Sequence, residues 1–162
     1  MLKLITKIGA AVIVAVLVST SAFADTFTVS GGGNTSLSPS STAVSLRAEY
    51  GLTLNKNVEA YLGQGLSFAD KDGTALVGET RIGSRFLTRK FGPFQPYVGV
   101  AGSVEYGKID ASWRIIPEIG SRVWFSDKVF AFGSAGYSWL LNSHVNSPDN
   151  SIVYAVGIGV NF

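Results

Sequence analysis

The chain's 162 residues carry 13 Lys and Arg, 11 Asp and Glu, and no Cys. The absent thiols exclude a disulfide framework and a thiolate metal site. A near-balanced charge without a basic patch excludes a nucleic-acid-binding surface.

Residues 1–24 read as a secretory signal peptide. Lys3 and Lys7 form a basic start, 8–18 an apolar stretch, and Ala22-Phe23-Ala24 a small-residue cleavage site before Asp25. The stretch is far short of the roughly 20 residues a spanning helix needs. Removing Lys3 and Lys7 leaves 11 basic residues, 13 less two, against 11 acidic ones. The remainder, 25–162, reads as one β-barrel domain.

Beyond Asp25, apolar residues recur with a period of two, the mark of strands. A weak strand near 25–32 comes first. Strands near 42–54, 57–69, 75–87, 94–107, 112–125 and 128–141 follow, and a last one over 151–162 makes eight. Residues 55–57 and 126–128 read as tight hairpin turns, and 89–93 as a slightly longer one. Segments 31–41, 70–74, 107–111 and 142–150 read as the loops at the other ends. Strands of about 10–13 residues meet the roughly 9–11 that a tilted spanning strand requires.

Parity along each strand separates two faces. One carries Arg47, Glu49, Glu59, Glu79, Arg81, Arg85, Glu105, Arg114, Glu118 and Arg122, with Gly51, Gly63, Gly65, Gly83, Gly99, Gly120, Gly157 and Gly159 among them. The other is Val, Leu, Ile, Ala and aromatic. Every Lys and Asp after the leader falls in a connection or at a strand end. A water-facing sheet uses Lys freely. Five Arg and five Glu confined to one face instead suit a closed interior, where each charge must be paired and hydrogen-bonded. The apolar face with aromatics near strand ends (Tyr50, Phe68, Phe86, Phe94, Tyr106, Trp113, Phe125, Trp139, Tyr154, Phe162) suits lipid. The expected fold is all-β, an eight-stranded antiparallel up-and-down transmembrane β-barrel. In 128–141 Phe130, Phe132, Tyr137 and Trp139 fall on both parities, as a bulge midway would produce. Pro96 and Pro117 each remove a ladder donor, and a bulge or strand end is expected beside each.

Phe94-Gln95-Pro96-Tyr97-Val98-Gly99-Val100-Ala101-Gly102 and Val156-Gly157-Ile158-Gly159-Val160-Asn161-Phe162 resemble segments of the small outer-membrane barrels of the OmpA and OmpX kind. The resemblance implies a bacterial outer-membrane location, with both termini in the periplasm and the four loops outside. It also implies that Tyr154, Ile158, Val160 and Phe162 form a C-terminal signal read by the outer-membrane assembly machinery. Unlike adhesive relatives, the chain has short expected loops, and a peptidoglycan-binding domain after Phe162 is not expected.

Three sharper functions compete with a structural or surface-interaction role. His144, Ser147 and Asp149 supply the letters of nucleophilic catalysis, as in lipid A-modifying barrels of this size, but on an Asn/Ser/Pro-rich loop. The interior charges could line a small pore, although eight strands as a rule leave room for side chains alone. A secreted soluble barrel carrying a ligand is the remaining alternative. A lone His144 offers no set of metal ligands, and Gly31-Gly32-Gly33 without a following helix is no phosphate cradle; no cofactor is expected. The expected partners are outer-membrane lipid and lipopolysaccharide, the assembly machinery, and a surface partner met through loops 31–41 and 142–150.

Overall fold

A computed structural model describes residues 25–37, 40–69, 75–107, 111–141 and 150–162. The expected leader 1–24 and the loop residues His144, Ser147 and Asp149 lie outside the described residues. Eight strands are present: β1 (Thr26–Leu37), β2 (Ser40–Asn55), β3 (Val58–Ala69), β4 (Ala75–Leu87), β5 (Phe94–Tyr106), β6 (Ser112–Trp124), β7 (Val129–Leu140) and β8 (Asn150–Asn161). Each pairs antiparallel with the next, and β8 pairs with β1 to close the barrel. Closure gives every strand two neighbours and leaves no open sheet edge for hydrocarbon to meet.

The turn-side rim is tied by short-range hydrogen bonds. Asn55 Oδ1 accepts from the backbone N–H groups of Asn57 and Val58, at 2.9 and 3.0 Å. Ser126 Oγ accepts from those of Lys128 and Val129, at 3.3 and 3.1 Å. Gly92 takes φ 61° in the connection before β5, a left-handed conformation that favours glycine. The two ends of the barrel chain meet here as well. Phe162 donates its N–H to Asp25 O at 2.9 Å, while the Asp25 carboxylate accepts from Thr53 N–H at 2.6 Å.

The outer wall is predominantly apolar. Ile82 is 67% exposed, Ile119 63%, Ile158 65% and Val156 69%. Such a continuous apolar surface is unsustainable in water and natural in lipid. The opposite parity turns inward and carries the charges.

Three expectations need correction. The expected loop 31–41 is strand over 31–37 and 40–41: β1 runs to Leu37 and β2 starts at Ser40. Gly31 to Gly33 are sandwiched between Leu46, Ser45 and Val44 on one side and Val156, Ala155 and Tyr154 on the other. A Cβ on Gly32 would stand 2.1 Å from Tyr154 O, and one on Gly33 2.4 Å from Ala43 O. These glycines permit close backbone approach at the closing seam and make no turn. In β7 no parity shift occurs, because the pairs with β6 and β8 keep one register throughout. Phe130 and Phe132 are buried inside while Trp139 is exposed on the wall. Pro117 lies mid-strand without a bulge; its missing donor only interrupts the ladder to β7 between Ile115 and Glu118. Pro96 lies near the start of β5, as a strand-end proline should. Among the described residues the register shifts between Thr53 and Asn55.

Candidate functional site

The barrel interior is divided into two unlike halves. In the half beside the tight turns, alternate strands supply large side chains and their neighbours supply glycine. Tyr61 of β3 lies beside Gly83 of β4, Tyr97 of β5 beside Gly120 of β6, and Phe132 and Phe130 of β7 beside Gly157 and Gly159 of β8. A Cβ added to any of those glycines would come within 2.8 Å of the facing ring. The glycines are therefore the sockets of the aromatic rings. Tyr97 and Phe130 are among the largest fully buried side chains, with Ile116 beside the boundary of this half.

The ten interior charges interleave with that aromatic layer. Arg85 is the hub. Its guanidinium meets Glu49 at 2.6 Å, Glu118 at 2.8 Å and Glu59 at 3.6 Å, and lies 3.8 Å from the centroid of the Tyr61 ring. Arg122 donates to Glu59 and stacks over Phe130. Arg47 reaches Glu79 at 2.8 Å and Glu49 at 3.7 Å. Arg81 grips Glu79 through Nε and NH2, at 3.1 and 2.9 Å, and approaches Glu118 at 4.0 Å. Four Arg and four Glu thus form one connected, electrically neutral network. Thr26 and Tyr61 hydroxyls donate further to Glu59 and Glu118, at 3.1 and 3.2 Å. The fifth pair, Arg114 and Glu105 at 3.1 Å, stands apart towards the opposite rim, where Ser112 also donates to Glu105. Parity thus places all ten charges inside, and the fold brings eight of them together.

Glu118→Ala is expected to destabilise the barrel by about 3–5 kcal/mol, because Arg85 loses its 2.8 Å partner in a buried site. Urea unfolding of the protein refolded in lipid vesicles measures it; a change within about 0.5 kcal/mol would mean that Glu118 is solvated.

The half beside the longer connections is built differently. Beside the Arg114–Glu105 pair, its inward positions include the small, hydroxylated Ser45, Ser67, Ser138 and Ser151, with Asn34. With Glu105 they line a small, partly open polar cavity whose floor is Arg47, Glu79, Arg81 and Ile116. The arrangement is a polar cup standing on an ion-paired, aromatic base. Among the described residues no three His, Cys, Asp or Glu gather as metal ligands.

Sequence reasoning missed the inward Tyr61, Tyr97, Phe130 and Phe132, although Tyr61 shares the parity of Glu59. It also missed the serine lining of the cup, whose residues share the parity of the charges. Of the four C-terminal positions singled out by resemblance, Tyr154, Ile158 and Phe162 are exposed on the outer wall and Val160 is half-buried.

Solved structures share this architecture. Neisserial surface protein A superposes with a TM-score of 0.69 over 85% of this chain and 95% of its own, at 15% identity. The N-terminal β-barrel domain of Pseudomonas aeruginosa OprF gives 0.59 over 86% and 98%, at 14% identity. The outer membrane enzyme PagL gives 0.58 over 85% and 99%, at 12% identity. No protein-family model and no curated protein matches the chain. Identities this low speak for the fold, which hosts a surface protein and an enzyme alike and does not by itself assign a function. The chain is an eight-stranded transmembrane barrel with the fold of small outer-membrane proteins.

Proposed function

We propose that this chain is a non-enzymatic integral outer-membrane barrel with a structural or surface-interaction role, closed to solutes by its own interior. One observation carries the reading: a neutral network of four Arg and four Glu, packed among Tyr61, Tyr97, Phe130 and Phe132, fills the turn-side half. An open channel would need mobile or solvated charges, whereas these are buried and mutually paired. The apolar wall would contact lipid and the acyl region of lipopolysaccharide. The C-terminal Tyr154, Ile158, Val160 and Phe162 would be read by the assembly machinery during insertion. Segment 142–149 remains the proposed surface contact, and 31–37 with 40–41, being strand, do not.

The polar cup favours a second reading, a small pore. It is a polar cavity among whose lining residues are Arg47 and Arg81. Conductance of the refolded protein in a planar lipid bilayer separates the two. The expected result is a silent membrane at physiological salt. Stable, reproducible channels would overturn the closed-barrel reading and make permeability the function.

A further inference from the structure

The lipid-facing wall contains a polar cluster that neither the ion network nor the cup explains. Gln64 of β3 has the outward parity of Leu62 and Leu66. Its neighbour across the ladder is Thr80 of β4, whose hydroxyl meets the Gln64 side-chain oxygen at 3.1 Å. The Tyr106 hydroxyl, from β5, meets the same oxygen at 3.2 Å and the Thr80 hydroxyl at 3.5 Å. Gly78 makes this possible: a Cβ there would stand 2.3 Å from Cε2 of Tyr106, so the ring lies flat on the glycine and carries its hydroxyl to Gln64.

The cluster is not satisfied by itself. Gln64 brings two amide hydrogens and each hydroxyl one, four in all, while the cluster has three internal contacts. Exchanging the amide oxygen and nitrogen, a choice set only by hydrogen bonding, changes which hydrogens are left over but not that some are. Acceptors are left over too, because both hydroxyl oxygens keep free lone pairs. Headgroups are poorly placed to help. On the same strands Leu66, Phe68 and Leu76 lie between Gln64 and one rim, and Leu62, Ile82 and Phe86 lie towards the other. A donor stranded in hydrocarbon is costly, and polar groups at that depth mark contacts with other polar groups in the membrane.

We propose that the β3–β5 wall is a docking face for a second copy of this chain, with the Gln64–Thr80–Tyr106 clusters of the two copies hydrogen-bonding across a two-fold axis along the membrane normal. That axis places each cluster at the depth of its copy, which a lipid headgroup cannot match. Leftover donors of one copy meet leftover acceptors of the other, and the reverse, as a self-complementary interface requires. Ala48, beside Gln64 on β2, keeps the wall low enough for close approach.

The test uses the full barrel refolded into phosphatidylcholine vesicles. The chain has no Cys, so an added Asp127→Cys on the turn rim accepts one donor or acceptor dye, and energy transfer is followed against the protein-to-lipid ratio. Transfer is expected to exceed random proximity and to follow a monomer–dimer isotherm. Gln64→Leu should weaken association about five- to tenfold, the scale of a reciprocal pair of membrane hydrogen bonds. Thr80→Val should act in the same direction, and Ser121→Ala, outward on β6, should leave the isotherm unchanged. Gel mobility without boiling confirms that each variant is folded. Random-level transfer at every ratio overturns the proposal. So does an isotherm that Gln64→Leu does not shift, which would place the contact elsewhere. A Gln64→Leu effect on retained lipid alone would overturn it in favour of a lipid occupant. Conductance plays no part in these readouts, so the closed-barrel reading stands or falls separately.

Discussion

Arg85→Met is expected to destabilise the barrel by about 3–5 kcal/mol, on the same scale as Glu118→Ala in the same network. Methionine matches much of the length of arginine, so the lumen stays filled and little of the loss comes from a cavity. What disappears is the partner of Glu49 at 2.6 Å and of Glu118 at 2.8 Å, with Glu59 at 3.6 Å also affected. Those carboxylates remain inside a wall that excludes water, and an unpaired buried charge costs far more than a paired one gains. The stacking of the guanidinium on Tyr61 goes as well. Urea unfolding in vesicles, followed by tryptophan fluorescence, measures the change. Adding Glu118→Gln should recover part of the loss, because it removes one of the stranded charges and the two sites share a bond. Strict additivity, or a loss below about 0.5 kcal/mol, would show that water already reaches Arg85.

How far this network is legible in the sequence depends on what parity reports. A period of two says which way a side chain points, so it assigns Arg47, Glu49, Glu59, Glu79, Arg81, Arg85, Glu105, Arg114, Glu118 and Arg122 to the inside without further information. Parity is silent about register and stagger, and these choose the partners. Glu59 meets Arg122 from 63 positions away across the lumen, which no local pattern encodes. The glycines mislead for a related reason. Gly31-Gly32-Gly33 has the composition of a flexible turn, and only barrel closure, with β8 laid against β1, turns that composition into a seam of close backbone contacts. In β7 the aromatics on both parities suggest a slip. The slip dissolves because Gly157 and Gly159 on the neighbouring strand are sockets for Phe132 and Phe130. Gln64 is the opposite case. Its outward parity is plain from Leu62 and Leu66, but its meaning requires Thr80 and Tyr106, which register alone brings to it.

The socket arrangement makes its own quantitative claim. A barrel interior of fixed circumference can hold large rings on some strands only if the adjacent strands yield the volume, so the glycines opposite Tyr61, Tyr97, Phe130 and Phe132 should be as constrained as the rings. Gly159→Ala is the sharpest case, because the added Cβ would lie 2.3 Å from Phe130 Cζ and meet side-chain atoms rather than backbone. The expected cost is about 1–3 kcal/mol, typical of overpacking where neighbours cannot move freely. Phe130→Leu alone should also destabilise, by leaving a void under Arg122, whose guanidinium stacks 4.7 Å from that ring. Combined, the two should cost about 1 kcal/mol less than their sum, since the smaller leucine leaves room for the new methyl group. Unfolding free energies of the four proteins in the same vesicles close the cycle. Additive costs would mean that Phe130 is not seated on Gly159, and the alternation of rings and glycines could no longer be the reason the turn-side half of the barrel is closed.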